Sequence, residues 1–266
     1  MAMNPRLLRP LASGRYTPTD ADALAYVLAV EEADGQKLES NVTRAVDNFV
    51  KGLKSDATWE DIAHCCILAG ARTLEGICIP LRGTAPTSNA FTSSDYDRKT
   101  GLIGSTANTK FLNANVNNNT FTQDNFHMSL WVSEVATSGT YYFMGVGGGG
   151  AGSSEIAAIG GVSQFRNQAA GIFGTSRSDQ TTGLWGSTRN NSTTFNARTG
   201  ANTDTSPTRT SASPAAGNIH VFRTSTFTTL FSPYRLAWYS MGTAIDLGLL
   251  RTRFTTYLAD IAAGIP

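Results

Sequence analysis

Between residues 76 and 240 the chain repeatedly runs through a short apolar-alternating stretch and then breaks on Asn, Gly or Ser. That punctuation admits few folds. A short strand flanked by polar turns cannot bury itself alone, so many in series must close on one another as a sandwich or barrel. The pattern is clearest in FHMSLWVSEV at 126–135, where Met128, Leu130 and Val132 alternate against His127, Ser129, Trp131 and Ser133. Similar runs predict strands at 109–116, 140–147, 155–160, 218–224, 226–231 and 234–240, and GICIPLR at 76–82 reads as an edge strand because of Pro80. The stretch 186–216, almost wholly Ser, Thr, Asn, Arg and Ala, reads as one long loop or a weakly patterned hairpin.

Both ends of the chain carry the helical period instead. Thr19 caps and Gly35 closes a helix over 20–34, with Leu24, Val27 and Leu28 on one face. From Ser40 onward Val42, Val46, Phe49, Val50 and Leu53 draw an apolar stripe, with Asp47, Lys51 and Lys54 opposite. Thr58 followed by Asp61 predicts a third short helix that carries Trp59, Ile62 and Cys65 inward. Thr243 and Asp246 open a last helix whose Leu250, Phe254, Tyr257, Leu258 and Ile261 face one way, and such a helix must cover a sheet. The expected organisation is an extended, proline-punctuated arm over 1–18, a helical segment over 19–75, a β-sandwich over 76–242 and a C-terminal helix over 243–266. Such an arm either lies on its own domain or inserts into a neighbour, and Arg6, Leu7, Leu8 and Arg9 are its expected attachment residues. The fold class is mainly β.

Composition narrows the function. Charged residues make up 15% of the chain, against the ~25% usual in globular domains. Hydroxyls, amides and 26 glycines take their place and keep a β surface wet without ion pairs. Adhesins, lectin-like modules and virion proteins are built this way more often than intracellular enzymes are. A net charge of +1 draws the chain to neither nucleic acid nor an anionic membrane, and no basic patch is interleaved with aromatics. No run is long enough to span a bilayer, and Pro5 and Pro10 break the N-terminus where a signal peptide would be continuously apolar. Export is therefore expected by a route other than a signal peptide, of which synthesis in the cytoplasm and release by cell lysis is one. Cys65, Cys66 and Cys78 do not describe a disulfide framework.

Little catalytic chemistry is visible. A glycosidase needs two carboxylates facing one groove, and after residue 76 the glutamates are Glu134 and Glu155, on different strands. GVGGGG at 145–150 satisfies a dinucleotide pattern on paper, but no helix follows it. His64, His127 and His220 have no zinc spacing. No cofactor is expected, with calcium as the one exception the residues admit. Asp95, Asp97 and Asp124 can supply its oxygen ligands, and the same residues equally build Asx-turns. Trp131, Trp185, Tyr141 and Tyr142 lie in or beside polar segments, where sugar rings stack on aromatic faces. Burial in the sandwich is the competing assignment for them.

Several blocks together carry a resemblance. AYVLAVEEADGQKLE at 25–39, AVDNFVKGLKSDATW at 45–59 and CILAGARTL at 66–74 are followed by P-L-x-G-x-A-P-x-x-N-x-F from Pro80 to Phe91. Then come D-Y-x-R-x-T-G-L from Asp95 to Leu102, FLNANVNNN at 111–119 and YSMGTAIDLGLL at 239–250. In these the chain resembles virion surface proteins of tailed phages, of the cyanophage and marine-phage type. The resemblance implies a concanavalin A-like (laminin G-like) jelly roll, with no sugar-binding triad to carry over. It implies a non-enzymatic, oligomeric protein exposed on the particle beside other phage structural proteins. A tail-fibre or receptor-binding role toward a host surface glycan or protein is preferred, and a capsid decoration or head-fibre role is the alternative.

Overall fold

A computed structural model describes residues 14–107, 109–201, 204–227 and 229–266, so the arm residues Arg6, Leu7, Leu8 and Arg9 lie outside the described residues. Helix α1 (Ala21–Asp34) starts on Asp20, not Thr19: the Asp20 carboxylate accepts from the N–H groups of Asp22 and Ala23. Gly35 ends it in the left-handed region at φ 66°. Helix α2 (Ser40–Ser55) buries the stripe Val42, Val46, Phe49, Val50 and Leu53 as its spacing predicts. The Thr58 helix does not form. Ile62–Ile67 is instead strand β1, exposed at Ala63 but buried on both faces from Cys65 to Ile67, and Cys65 and Cys66 sit in it as buried free thiols. The GICIPLR strand is also absent, replaced by a single helical turn α3 (Leu74–Ile77) that Thr73 caps.

Thirteen further strands follow: β2 (Thr87–Asn89), β3 (Tyr96–Asp97), β4 (Gly101–Ile103), β5 (Phe111–Asn117), β6 (Phe126–Glu134), β7 (Tyr141–Val146), β8 (Ser153–Ile159), β9 (Val162–Ala169), β10 (Phe173–Ser178), β11 (Gly183–Arg189), β12 (Asn196–Thr199), β13 (Asn218–Val221) and β14 (Arg235–Gly242). Among the described residues of 226–231 no strand forms; Thr224 and Phe231 instead make isolated bridges to Gly145 and Tyr142 of β7. The long Ser/Thr/Asn stretch contains the β11–β12 hairpin. The chain closes with α4 (Leu247–Gly264), capped by the Asp246 carboxylate at the N–H groups of Gly248 and Leu249.

The strands form two antiparallel seven-stranded sheets, a jelly-roll-like sandwich. The first runs β12-β11-β6-β14-β4-β3, with β1 also paired to β14; the second runs β10-β9-β8-β7-β13-β5-β2. Between them Trp185 packs against Phe143 at 5.0 Å and Phe165 at 6.4 Å, and Tyr234 meets Phe143 edge-on. Because β1 belongs to the first sheet, the sandwich begins before residue 76, inside the segment expected to be helical.

Helices α2 and α4 cover the outer face of the first sheet and make a third layer. Phe49 and Phe254 meet Trp238 at 5.5 and 5.2 Å, and Phe254 meets Trp131 at 5.3 Å. The polar half of the β6 alternation is therefore buried under helices. His127, Ser129 and Ser240 are fully enclosed, and a one-way chain of hydrogen bonds satisfies them. Trp238 Nε1 donates to Ser129 Oγ, Ser129 pairs with Ser240 at 2.8 Å, and Ser240 meets His127 Nε2 at 3.1 Å. His127 Nδ1 pairs with the Thr243 carbonyl, which can only accept, so the ring proton sits on Nδ1.

Candidate functional site

The layer of helices leaves a groove where the C-terminal half of α4 overhangs the ends of β6 and β11. It encloses about 650 Å³. Val132, Leu258, Ala259 and Ala262 supply apolar wall, and Thr100, Thr182 and Thr255 bring hydroxyls to it. Trp131 lines it at an edge, since Phe254 occupies one side of the ring and the residue is 9% exposed. The indole Nε1–H meets no acceptor among the described residues and is not sealed from solvent.

Two cations complete the groove. Lys99 stands on the turn between β3 and β4, and Arg251 lies in the second turn of α4. Neither has a carboxylate partner among the described residues, and the Arg251 Nε is shielded with no hydrogen-bond acceptor. The nearby Asp97 is not in the lining: its carboxylate is turned onto the Thr100 hydroxyl at 2.7 Å and onto the N–H groups of Lys99 and Thr100. The groove is mostly apolar, with Lys99, Arg251 and the Trp131 N–H as its free donors among the described residues. The Thr100 and Thr255 hydroxyls donate within the protein and present only acceptor oxygens. This fits a hydroxylated ligand with an apolar face.

Among the four aromatic candidates, Trp131 alone reaches this groove. Trp185 is fully buried between the sheets, its Nε1 donating to the Thr181 carbonyl at 2.9 Å. Tyr142 is buried against Phe227 at 4.8 Å, and Tyr141 packs edge-on to Tyr234 at 5.9 Å. Polar neighbours in sequence were a poor guide here, because in a two-sheet core they face one way and the ring the other. At 9% exposure, with Phe254 tilted against it, Trp131 also has no open face on which a sugar could stack. Arg251 and Lys99 were missed, since a lone Arg in a helix and a lone Lys in a turn give no sequence signal of convergence.

The calcium candidates do not converge. Asp95 accepts from the backbone and side chain of Thr92 and pairs with Lys110 at 2.5 Å. Asp95 and Asp97 flank the β14 end at Arg235, whereas Asp124 precedes β6 at the Gly242 end. A strand of that length separates them by roughly 20 Å. Among the described residues no group of three His, Cys, Asp or Glu is placed to hold a metal ion.

A second, more polar cleft of about 350 Å³ opens at the other end of α4, where Asp56, Asp61 and Asp246 line it with Asn190 and Asn191. Each aspartate already serves the fold. Asp56 holds Arg253 through two bonds of 2.7 Å, Asp61 accepts from the Thr243 hydroxyl, and Asp246 caps α4. Glu134 pairs with Arg235 at 3.0 Å. Glu155 is fully buried beside Arg166, and burial pushes its carboxyl up to about 7 against the pull of that arginine. The glycine run folds over this pair: Gly149 N–H donates to Glu155, and Arg166 donates to the Gly150 carbonyl. Its Gly149 N–H is thereby spent on the protein's own carboxylate, not presented to a phosphate.

No family model and no curated protein matches the chain. Among solved structures it is similar to the binding domain of botulinum neurotoxin serotype D, with a TM-score of 0.48 and 9% identity over 77% of this chain and 52% of that one. The receptor binding domain of botulinum neurotoxin mosaic serotype C/D gives a TM-score of 0.45 at 10% identity, covering 74% and 50%. The binding domain of botulinum neurotoxin DC, solved in complex with rat synaptotagmin II, gives 0.39 at 10% identity, covering 56% and 40%. The chain spans about half the length of the first of these structures. At these scores and identities the likeness carries no argument about function. Among the described residues no helix is long and apolar enough to cross a membrane.

Proposed function

We propose that the chain is a non-catalytic, glycan-binding surface protein of a tailed-phage particle, and that the groove beneath α4 holds the sugar. The observation that carries the binding half is the set of unmatched donors in that groove: Trp131 Nε1–H, Arg251 and Lys99, beside three threonine hydroxyls. A hydroxylated ligand supplies the missing acceptors and lays its C–H faces on Leu258 and Ala259. The particle half rests on the resemblance of several sequence blocks to tailed-phage virion surface proteins and on a composition that supplies hydroxyls and amides in place of charge. In this reading residues 1–18 attach the protein to other particle proteins, copies of the chain associate with one another, and the sandwich faces the host.

Two measurements test it. Quantitative mass spectrometry of purified particles reads copy number against the major capsid protein. A small fraction of the capsid number fits a receptor-binding tail protein, parity would move the assignment to capsid decoration, and absence from the particle would remove the phage reading. On a glycan array, Arg251→Gln is expected to weaken the best ligand by about tenfold, as loss of one charge-assisted hydrogen bond does. An unchanged array profile would detach the groove from binding.

A further inference from the structure

The outer face of the second sheet, on the side of the sandwich away from the helices, carries a cation without a counter-ion among the described residues. Arg223 follows β13, and its guanidinium carbon lies 3.5 Å from the Phe111 ring centroid and 5.2 Å from that of Phe231. His220 stacks nearly parallel to Phe111, centroids 4.9 Å apart at 24°. Arg223 Nε donates to His220 Nδ1 over 3.0 Å. A guanidinium has nothing but donors, so Nδ1 is the lone-pair side of the ring and the neutral His220 carries its proton on Nε2. Burial first, then Arg223, holds the His220 imidazole down to about 4, and burial also lowers Arg223.

Neither the His220 Nε2–H nor the terminal nitrogens of Arg223 meet an acceptor among the described residues, and none of these atoms is sealed from solvent. A half-desolvated guanidinium held on aromatic rings with no carboxylate beside it is an arrangement that an anion would complete. The neighbouring strands extend the site sideways. Asn113 on β5 stands opposite His220, and Thr87 on β2 stands opposite Asn113, so all three share the outer face. The Asn113 Oδ1 accepts from the Asn115 N–H, which leaves its amide NH₂ without a partner among the described residues.

We propose that Arg223, His220 and Asn113 form a second binding site, which takes the carboxylate or sulfate of an acidic saccharide. Arg223 and the His220 Nε2–H grip the oxyanion, while the Asn113 amide and the Thr87 hydroxyl reach sugar oxygens. That amide–hydroxyl row beside the cation favours a saccharide over an acidic peptide. The site lies on the opposite face from the groove beneath α4 and stands whether or not that groove binds glycan.

The test follows the His220 ring signals by NMR in the full chain while inorganic sulfate, polygalacturonate, dextran sulfate or polyglutamate is added. Sulfate and at least one polysaccharide are expected to move the Nε2–H resonance of His220. Preference for polygalacturonate marks a carboxylated source, and preference for dextran sulfate a sulfated one. Arg223→Gln should weaken this response by about tenfold or more at unchanged Tm. If that variant fails to fold, Asn113→Ala should retain the sulfate response and lose affinity severalfold for the polysaccharide alone. A still His220 resonance with all four probes would overturn the proposal, as would an unaltered response in folded Arg223→Gln. Polyglutamate binding as tightly as either polysaccharide would overturn the saccharide assignment.

Discussion

His127 beneath the helices and Glu155 beneath the glycine run are both sealed from solvent, yet they respond to acid in opposite directions. Burial holds the His127 imidazole down to about 4 from an ordinary 6.5, although the Thr243 carbonyl pulls the other way. Its contribution is complete above pH 6.5 and is lost as pH falls toward 4, because the unfolded chain takes up a proton that the folded one refuses. Glu155, raised from 4.5 to about 7, behaves oppositely: its contribution is full at low pH and is lost as pH rises through that window. Denaturant unfolding from about pH 4 to 7 should therefore show a steeper rise of stability with pH in Glu155→Gln than in the wild type. In His127→Asn the rise should be shallower, by on the order of 2 kcal/mol over the window. Parallel curves for all three proteins would mean these groups are not buried in the protonation states described. The aspartates make a simpler prediction. Since Asp95 is held by Lys110 and Asp124 stands at the far end of the sheet, Tm should be the same in EGTA as in calcium. A rise with calcium would show a site the described residues do not form.

At the scale of elements, α4 is what makes the molecule three layers deep. Phe254 touches Phe49, Trp131, Trp238 and Tyr257, so it ties both helices to the first sheet. Phe254→Ala should cost about 3–5 kcal/mol in a denaturant melt. Asp20→Ala, which removes only the α1 cap, should cost about 1 kcal/mol. Comparable losses for the two would mean that α4 is peripheral. The helices were legible because a 3.6-residue stripe is local: α2 begins at Ser40 as its stripe predicts, although no side chain caps it. Helix α4 begins after Asp246, which is its cap in place of Thr243, so residues 243–246 lie outside the helix. The strand β1 was not legible. Residues 62–67 are apolar but for His64, and only their pairing with β14, some 170 residues away, distinguishes a strand from a helix there. Strands β9 to β12 were hidden for a related reason. Ser163, Asn167 and Ser187 point into the core, where they bond Thr175, Thr199, the Phe126 carbonyl and one another, so the expected apolar alternation is interrupted by polar groups whose partners lie on other strands.

The whole molecule is a two-sheet sandwich with one face roofed by helices and the other carrying Arg223. The mainly β class and the helix that closes the chain were readable from the switch between periods of two and 3.6. The candidate site was readable only in Trp131, because a groove formed by α4, β6, β11 and the β3–β4 turn exists only after folding brings residues 99, 131 and 251 together. The most direct test of the central claim places a bulky side chain in that groove without touching the core. Ala259 is an exposed groove residue of α4, and Thr252 is exposed on the same helix outside the groove. Glycan-array binding should be lost in Ala259→Trp and kept in Thr252→Trp, with both variants melting like the wild type. Full binding by a folded Ala259→Trp protein would contradict the account.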